Sequence, residues 1–234
     1  MSERIPISRR SFLLGAMGGA LTAPTLGRAL ADQRMSVEDW SGVAPGARGI
    51  PAGWEPYETP GGHPAYDFVT IEDEGRRALQ LSSEGDHSTI AKRLRIDLAK
   101  VPMLEWSWKV LKLPTGGDVR QRQTSDVAAD VLVVWPRFPA MLRSRLIGYA
   151  WDASAPVGTV IKNPKSSMVT FVVVESGPAR LGQWITERRN VAADYRRIYG
   201  EIPPPPGVIA LSIDTNDTHS RAESVVGAIA FTAG

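Results

Sequence analysis

The chain has 234 residues, no cysteine, three histidines, and 27 Lys and Arg against 25 Asp and Glu. Without cysteine there are no disulfides, thiolate metal sites, cysteine-attached haem or lipoprotein anchor. His63, His87 and His219 stand at no metal-ligand spacing.

The first element is an export segment. Ser8-Arg9-Arg10-Ser11-Phe12-Leu13 is a twin-arginine signature, and a Gly/Ala-rich apolar stretch follows from Leu14 to Leu26. Arg28 and Ala29-Leu30-Ala31 then give a small-x-small cleavage site, so residues 1–31 are expected to be removed after Ala31. The apolar stretch falls short of the roughly 20 residues a membrane anchor needs, so no transmembrane anchor is expected after cleavage. Removing Arg4, Arg9, Arg10, Arg28 and Glu3 leaves 23 basic and 24 acidic residues, a net charge of −1. A nucleic-acid partner needs a clustered positive excess, which is then missing. The expected partner in export is the twin-arginine machinery, and the expected location is the periplasm.

Residues 32–234 fit one domain. Asp32 to Pro64 is rich in Gly and Pro and reads as an irregular lead-in anchored by Trp40 and Trp54. Period-two patterns then recur. Residues 66–71 and 78–83 predict a hairpin around Asp73-Glu74-Gly75. Residues 90–98 place Ile90, Leu94, Ile96 and Leu98 on one strand face, and the next strand puts Leu104, Trp106, Trp108 and Val110 together. Residues 126–135 are almost continuously apolar, which predicts a central strand covered on both faces. Further strands are expected at 145–151, 167–175, 183–188, 207–214 and 223–231. One short helix, Val191–Tyr199, is predicted, with Asn190 as its cap and Gly200 as its stop. Pro203–Pro206 is a stiff connector too short to divide domains. Many strands without alternating helices predict an all-β antiparallel jelly-roll-like sandwich.

Several clusters of side chains bear on function. Trp106 and Trp108 share the core face, so packing outweighs a sugar-stacking role. Trp135, Trp151 and Trp184 lie near strand ends, where a platform at the rim would be, although Trp151 also shares a face with Ile147 and Tyr149. Asp130, in the most apolar strand, requires a partner or a raised pKa, and Arg188 or Arg189 is the expected partner. The 187–201 stretch reads as a clamp in which Arg189 and Asp194 tie strand to helix, or alternatively as an anion site using Glu187, Arg188, Arg189 and Tyr195. Asp214, Asn216 and Asp217 offer three oxygen ligands that suit a structural calcium, against the plainer alternative of an Asx-rich turn. Otherwise no cofactor is implied. Nucleophile elbow, P-loop, dinucleotide fingerprint and zinc motifs are all missing. Glu105 and Glu187 are the one candidate glycosidase pair on strands.

The segments PMLEWSWKV, LIGYAW, VVVESG, GQWITERRNVAADYRRIYGE and IALSIDTNDTHSRAESVVGAIAF resemble, in order, an exported bacterial family known as domain of unknown function 3047. The most specific part runs from Trp184 through Glu187-Arg188-Arg189-Asn190-Val191 and Asp194-Tyr195 to Gly200. The family's Asp-x-Asp-Asn-Thr is Asp214-Thr215-Asn216-Asp217-Thr218 here, and Tyr199 stands where the family has Phe. The resemblance implies a jelly-roll sandwich similar to carbohydrate-binding modules and carries no assigned activity. On these grounds the chain is expected to be a non-catalytic binding protein for carbohydrate or another cell-envelope component. Trp151, Trp184, Arg188 and Tyr195 are the expected contacts. The alternatives are a polysaccharide-acting glycosidase or lyase, and a structural or assembly partner of another exported protein.

Overall fold

The computed structural model describes Met1 and residues 33–57 and 63–234. The export segment and its cleavage site lie outside the described residues. In chain order the elements are β1 (Arg34–Glu38), β2 (Glu55–Pro56), β3 (Asp67–Asp73), β4 (Arg76–Glu84), β5 (His87–Arg93), β6 (Met103–Lys112), β7 (Val127–Trp135), α1 (Ala140–Arg143), β8 (Arg145–Asp152), β9 (Val160–Lys162), β10 (Val169–Ser176), β11 (Ile185–Asn190), α2 (Val191–Tyr199), β12 (Val208–Asp214) and β13 (Arg221–Thr232).

These strands form two sheets. One runs β11-β6-β13-β4-β3, with β1 also on β13; the other runs β2-β5-β12-β7-β8-β10-β9. Every pairing is antiparallel except β8 with β10. The expected all-β antiparallel sandwich is therefore the observed architecture, and β7 lies inside its sheet, buried at every residue.

Local chemistry explains the element boundaries. Asp73 pairs with Arg76 across Glu74 and Gly75, which have φ of 51° and 74°. Two positive φ values in a two-residue loop match the strand twist, and Gly75 adopts its value without steric cost. The strand expected over 90–98 stops at Arg93, because its partner β12 begins only at Val208. Leu94 N–H still reaches the Gly207 carbonyl at 3.0 Å, but before Gly207 the chain is four prolines, which accept hydrogen bonds and donate none. Ile96 N–H accordingly reaches only the Pro206 carbonyl, at 3.4 Å. The lead-in holds β1 and β2, which its polar sequence hides. Trp40 and Trp54 anchor it as expected, stacked 5.6 Å apart, with the Trp40 indole donating to the Gly227 carbonyl at 2.9 Å.

The main core lies between the sheets. Leu104, Trp106, Trp108 and Val110 of β6 meet Val131 and Val133 of β7 and Ile147, Tyr149 and Trp151 of β8. Alternation sends the other side chains of β7 and β8 to the far side of the seven-stranded sheet. There Leu132, Val134, Leu146, Val208 and Ala210 form a second apolar layer.

Helix α2 closes one end of the sandwich. The Asn190 side chain accepts from Ala193 N–H at 2.9 Å, and Gly200 ends the helix at φ 73°. Arg189 donates to both carboxylate oxygens of Asp194, at 2.8 and 3.0 Å from Nη2, and the Tyr149 hydroxyl donates to Asp194 Oδ2 at 3.0 Å. The clamp is thus a bidentate pair on a buried helix residue. Asp194→Ala leaves Arg189 and Tyr149 without that partner. It is expected to lower unfolding stability by about 2–3 kcal/mol, allowing for the partial exposure of Arg189. Urea denaturation checks this, and a loss below about 0.5 kcal/mol contradicts it.

Candidate functional site

The four contact residues expected from sequence do not come together. Trp151 is wholly buried in the main core, 5.9 Å from Trp108, with its indole donating to the Gly177 carbonyl at 3.2 Å. Tyr195 is also wholly buried, its ring 4.6 Å from Trp135. Its hydroxyl accepts from Arg137 at 2.9 Å and Arg145 at 2.6 Å, and donates to Glu201 at 2.9 Å. Neither presents a ring face to a ligand. Trp151 continues the inward face of β8 shared with Ile147 and Tyr149, and Tyr195 lies on the face of α2 that packs on Trp135. Trp184 and Arg188 lie instead on the outer face of the six-stranded sheet. The Trp184 indole donates to Asp73 at 2.7 Å, with Arg76 and Lys109 each 5.3 Å from its ring. Arg188 is exposed and donates to the Ala233 carbonyl at 3.1 Å.

The carboxylates also fall differently. In the β11–β6 register Arg188 stands opposite Glu105, and Glu187 opposite Trp106. Glu105 and Glu187 therefore point to opposite faces and cannot flank one bond. Glu187 is pushed up to about 7, first by burial and then by the negative charge of Glu175.

The Asp214-Asn216-Asp217 segment is a hydrogen-bonded turn. Asp214 accepts from Asn216 N–H at 3.1 Å, and Asp126 accepts from the backbone of Asp217 and Thr218 at 3.1 and 2.8 Å. The Lys165 ammonium pairs with Asp217 and lies 3.4 Å from Asn216 Oδ1. A lysine thus takes the place a cation would need between those two oxygens. Among the described residues no three His, Asp or Glu are grouped to hold a metal ion. The donor set does not fit calcium.

Polar groups do converge on the outer face of the seven-stranded sheet. There β5, β12, β7 and β10 present Thr89, Ser212, Asp130 and Phe171 to a cavity of about 90 Å³, which His87, Asp214, Leu132 and Tyr57 also line. The register builds the cluster: Ser212 pairs with both Asp130 and Thr89 on its two neighbouring strands. Thr89 Oγ1 donates to Ser212 Oγ at 2.9 Å, and His87 Nε2 lies 2.9 Å from Thr89 Oγ1 and 3.1 Å from Ser212 Oγ. Gly148 makes room, since a Cβ there would meet Phe171 at 3.0 Å and Asp130 Oδ2 at 3.2 Å.

Asp130 has neither Arg188 nor Arg189 as partner, because both stand on the other sheet. Its Oδ1 is buried with no hydrogen-bond partner. Burial pushes its carboxyl up to about 8, with the Ser212 hydroxyl offsetting part of the rise. Asp214 is likewise driven well above the usual carboxylate range by burial. Burial and the Lys165 charge hold His87 below its ordinary value, so its imidazole is neutral at pH 7. The groove is therefore a neutral, hydroxyl- and carboxyl-lined surface beside an aromatic ring. Sequence reasoning finds Asp130 by its misplaced charge. It misses Thr89 and Ser212, whose convergence depends on pairing register.

Several solved structures are similar to this chain. The family 11 carbohydrate-binding module of cellulosomal cellulase Lic26A-Cel5E of Clostridium thermocellum has 10% identity and a TM-score of 0.46, covering 86% of this chain and 95% of that one. The family 30 module of cellulase Cel9D-Cel44B of the same organism has 10% identity and a TM-score of 0.44, covering 86% and 98%. An engineered Cel12A cellulase of Rhodothermus marinus has 8% identity and a TM-score of 0.42, covering 78% and 94%. At these scores the likeness bears on neither ligand nor chemistry. No curated protein matches the chain. A family model does match, over residues 52–230, and the chain belongs to that family, described as Protein of unknown function (DUF3047).

Proposed function

We propose that the chain is an exported, non-catalytic binding protein for a hydroxyl-rich ligand, a carbohydrate or another envelope component of that chemistry. The ligand seats in the outer-face groove of the seven-stranded sheet. The observation that carries this is Asp130: its Oδ1 is buried and unpartnered, and the residue lines a groove. An unmet buried polar atom costs roughly 1–3 kcal/mol, which a ligand hydroxyl would relieve. Phe171 and Tyr57 supply aromatic surface for the apolar face of a sugar. The cavity is smaller than the roughly 300–1,000 Å³ that encloses a whole small molecule, so it takes the leading part of a longer ligand. Export to the periplasm is supported by the twin-arginine signature and its cleavage site.

A hydrolytic role is the second reading, because Asp130 and Asp214 share this groove. Glycoside hydrolysis needs one protonated and one ionised carboxyl. Burial raises both, which disfavours an ionised partner in this groove. Binding fits the electrostatics better.

A screen of soluble and insoluble polysaccharides against the purified chain tests the proposal. Asp130→Ala is expected to weaken binding about tenfold, with circular dichroism confirming that the variant is folded. Phe171→Leu should weaken it by a similar factor, and Trp184→Ala should leave it unchanged. Loss of binding in Trp184→Ala alone would move the site to the six-stranded sheet. Release of reducing ends would favour hydrolysis.

Asp130 also makes stability depend on pH. Its folded pKa is above its unfolded value, so the folded state holds a proton that the unfolded state has lost. That contribution is complete below about pH 4 and disappears as pH rises to about 8. Asp130→Asn should therefore remove up to about 1.4 kcal/mol per pH unit of the decline between pH 5 and 8. Parallel slopes for wild type and variant in urea denaturation would contradict it.

A further inference from the structure

A concavity of about 520 Å³ lies away from the groove, at the end closed by α2. That volume falls within the range of small-molecule sites. Arg143, Arg145, Lys162 and Arg197 line it, with Thr170 and Tyr199, and no carboxylate does. Arg145 is held by Glu201 and lies 4.4 Å from the Tyr199 ring. Arg143, Lys162 and Arg197 make no ion pair with any described residue. Three unpaired cations around one pocket repel each other, and an oxyanion entering it would offset that repulsion.

The rim of the pocket says how the anion is presented. Phe138 is 90% exposed and Ile202 is 80% exposed. Both stand on segments beside the pocket: Phe138 lies between Arg137 and α1, and Ile202 follows Glu201 just after α2. Arg137 and Glu201 pair at 2.8 Å, which brings the two apolar tips to the same end of the molecule. Exposed apolar side chains beside a cationic pocket suit a surface that is apolar below and anionic at the headgroups.

We infer that this end of the molecule docks on an anionic phospholipid surface. A headgroup phosphate enters the Arg143–Lys162–Arg197 pocket, and Phe138 and Ile202 reach the acyl boundary. The inference is independent of the groove and of its ligand.

Co-sedimentation of residues 32–234, the chain left after the expected cleavage, with phosphatidylglycerol-containing vesicles and with pure phosphatidylcholine vesicles at low salt tests it. Binding is expected to the former only. The triple variant R143Q/K162Q/R197Q should bind on the order of 100-fold more weakly, because each cation near an anionic surface contributes about a fivefold factor. These three side chains are at the surface, and circular dichroism confirms that the variant is folded. The triple variant R48Q/R93Q/R221Q loses the same charge elsewhere and is expected to bind as wild type. Equal weakening in the two triple variants, or equal binding to the two vesicle types, overturns the inference. Saturable capture of inorganic phosphate without vesicle binding overturns the lipid surface and assigns the pocket to a soluble oxyanion.

Discussion

The structure depends on burying β7 from both sides. A strand with one solvated face would need only the sandwich core against it. Here Val131, Val133 and Trp135 enter that core, while Leu132 and Val134 enter a second apolar layer on the far side. A strand dry on both faces must sit inside its sheet, and β12 and β8 flank it. The same constraint makes Asp130 unusual. It is the one carboxyl of β7, and burial there pushes it up to about 8.

The proposed ligand seat and the main core therefore lie on opposite sides of one sheet. The inner side is filled by tryptophans and aliphatic residues, with Trp106, Trp108 and Trp151 locked together and closed to ligand. The outer side uses small residues, Gly148, Ala150 and Ala210, so polar groups of β5, β7 and β12 approach one another without bulky side chains between them. At the sandwich end, the arginine-rich 187–201 stretch is divided in the same way. Arg189 and Asp194 fasten α2 to the sheet, while Arg197 is left free at the surface. The clamp reading of that stretch agrees with the geometry. A cationic concavity lies nearby, lined by Arg143, Arg145, Lys162 and Arg197 and not by Glu187 or Arg188.

What was legible in the sequence was periodic. The alternation around Trp106 and Trp108, the continuous apolar run of β7, and the Asn190 and Gly200 caps each report a local preference that the fold keeps. What was not legible depended on register and on which sheet a strand joins. Glu105 and Glu187 both lie on strands, and only pairing with β6 shows that they face apart. Trp151 reads as a strand-end residue, and only the parallel β8–β10 pair and the six-stranded sheet above it show that it is sealed. The cation site at Asp217 failed for a similar reason. Its counter-charge is Lys165, distant in sequence and invisible to a local motif.

The central claim is that the ligand seat is the outer-face groove, organised by a protonated Asp130. The most direct measurement is a carboxyl-carbon NMR titration of Asp130, run without and with an oligosaccharide that the chain binds. The account predicts a midpoint near 8 in the free protein and a shift of the Asp130 resonance when ligand is added. An Asp130 that titrates near 4, or that does not respond to a ligand bound at saturation, would contradict it.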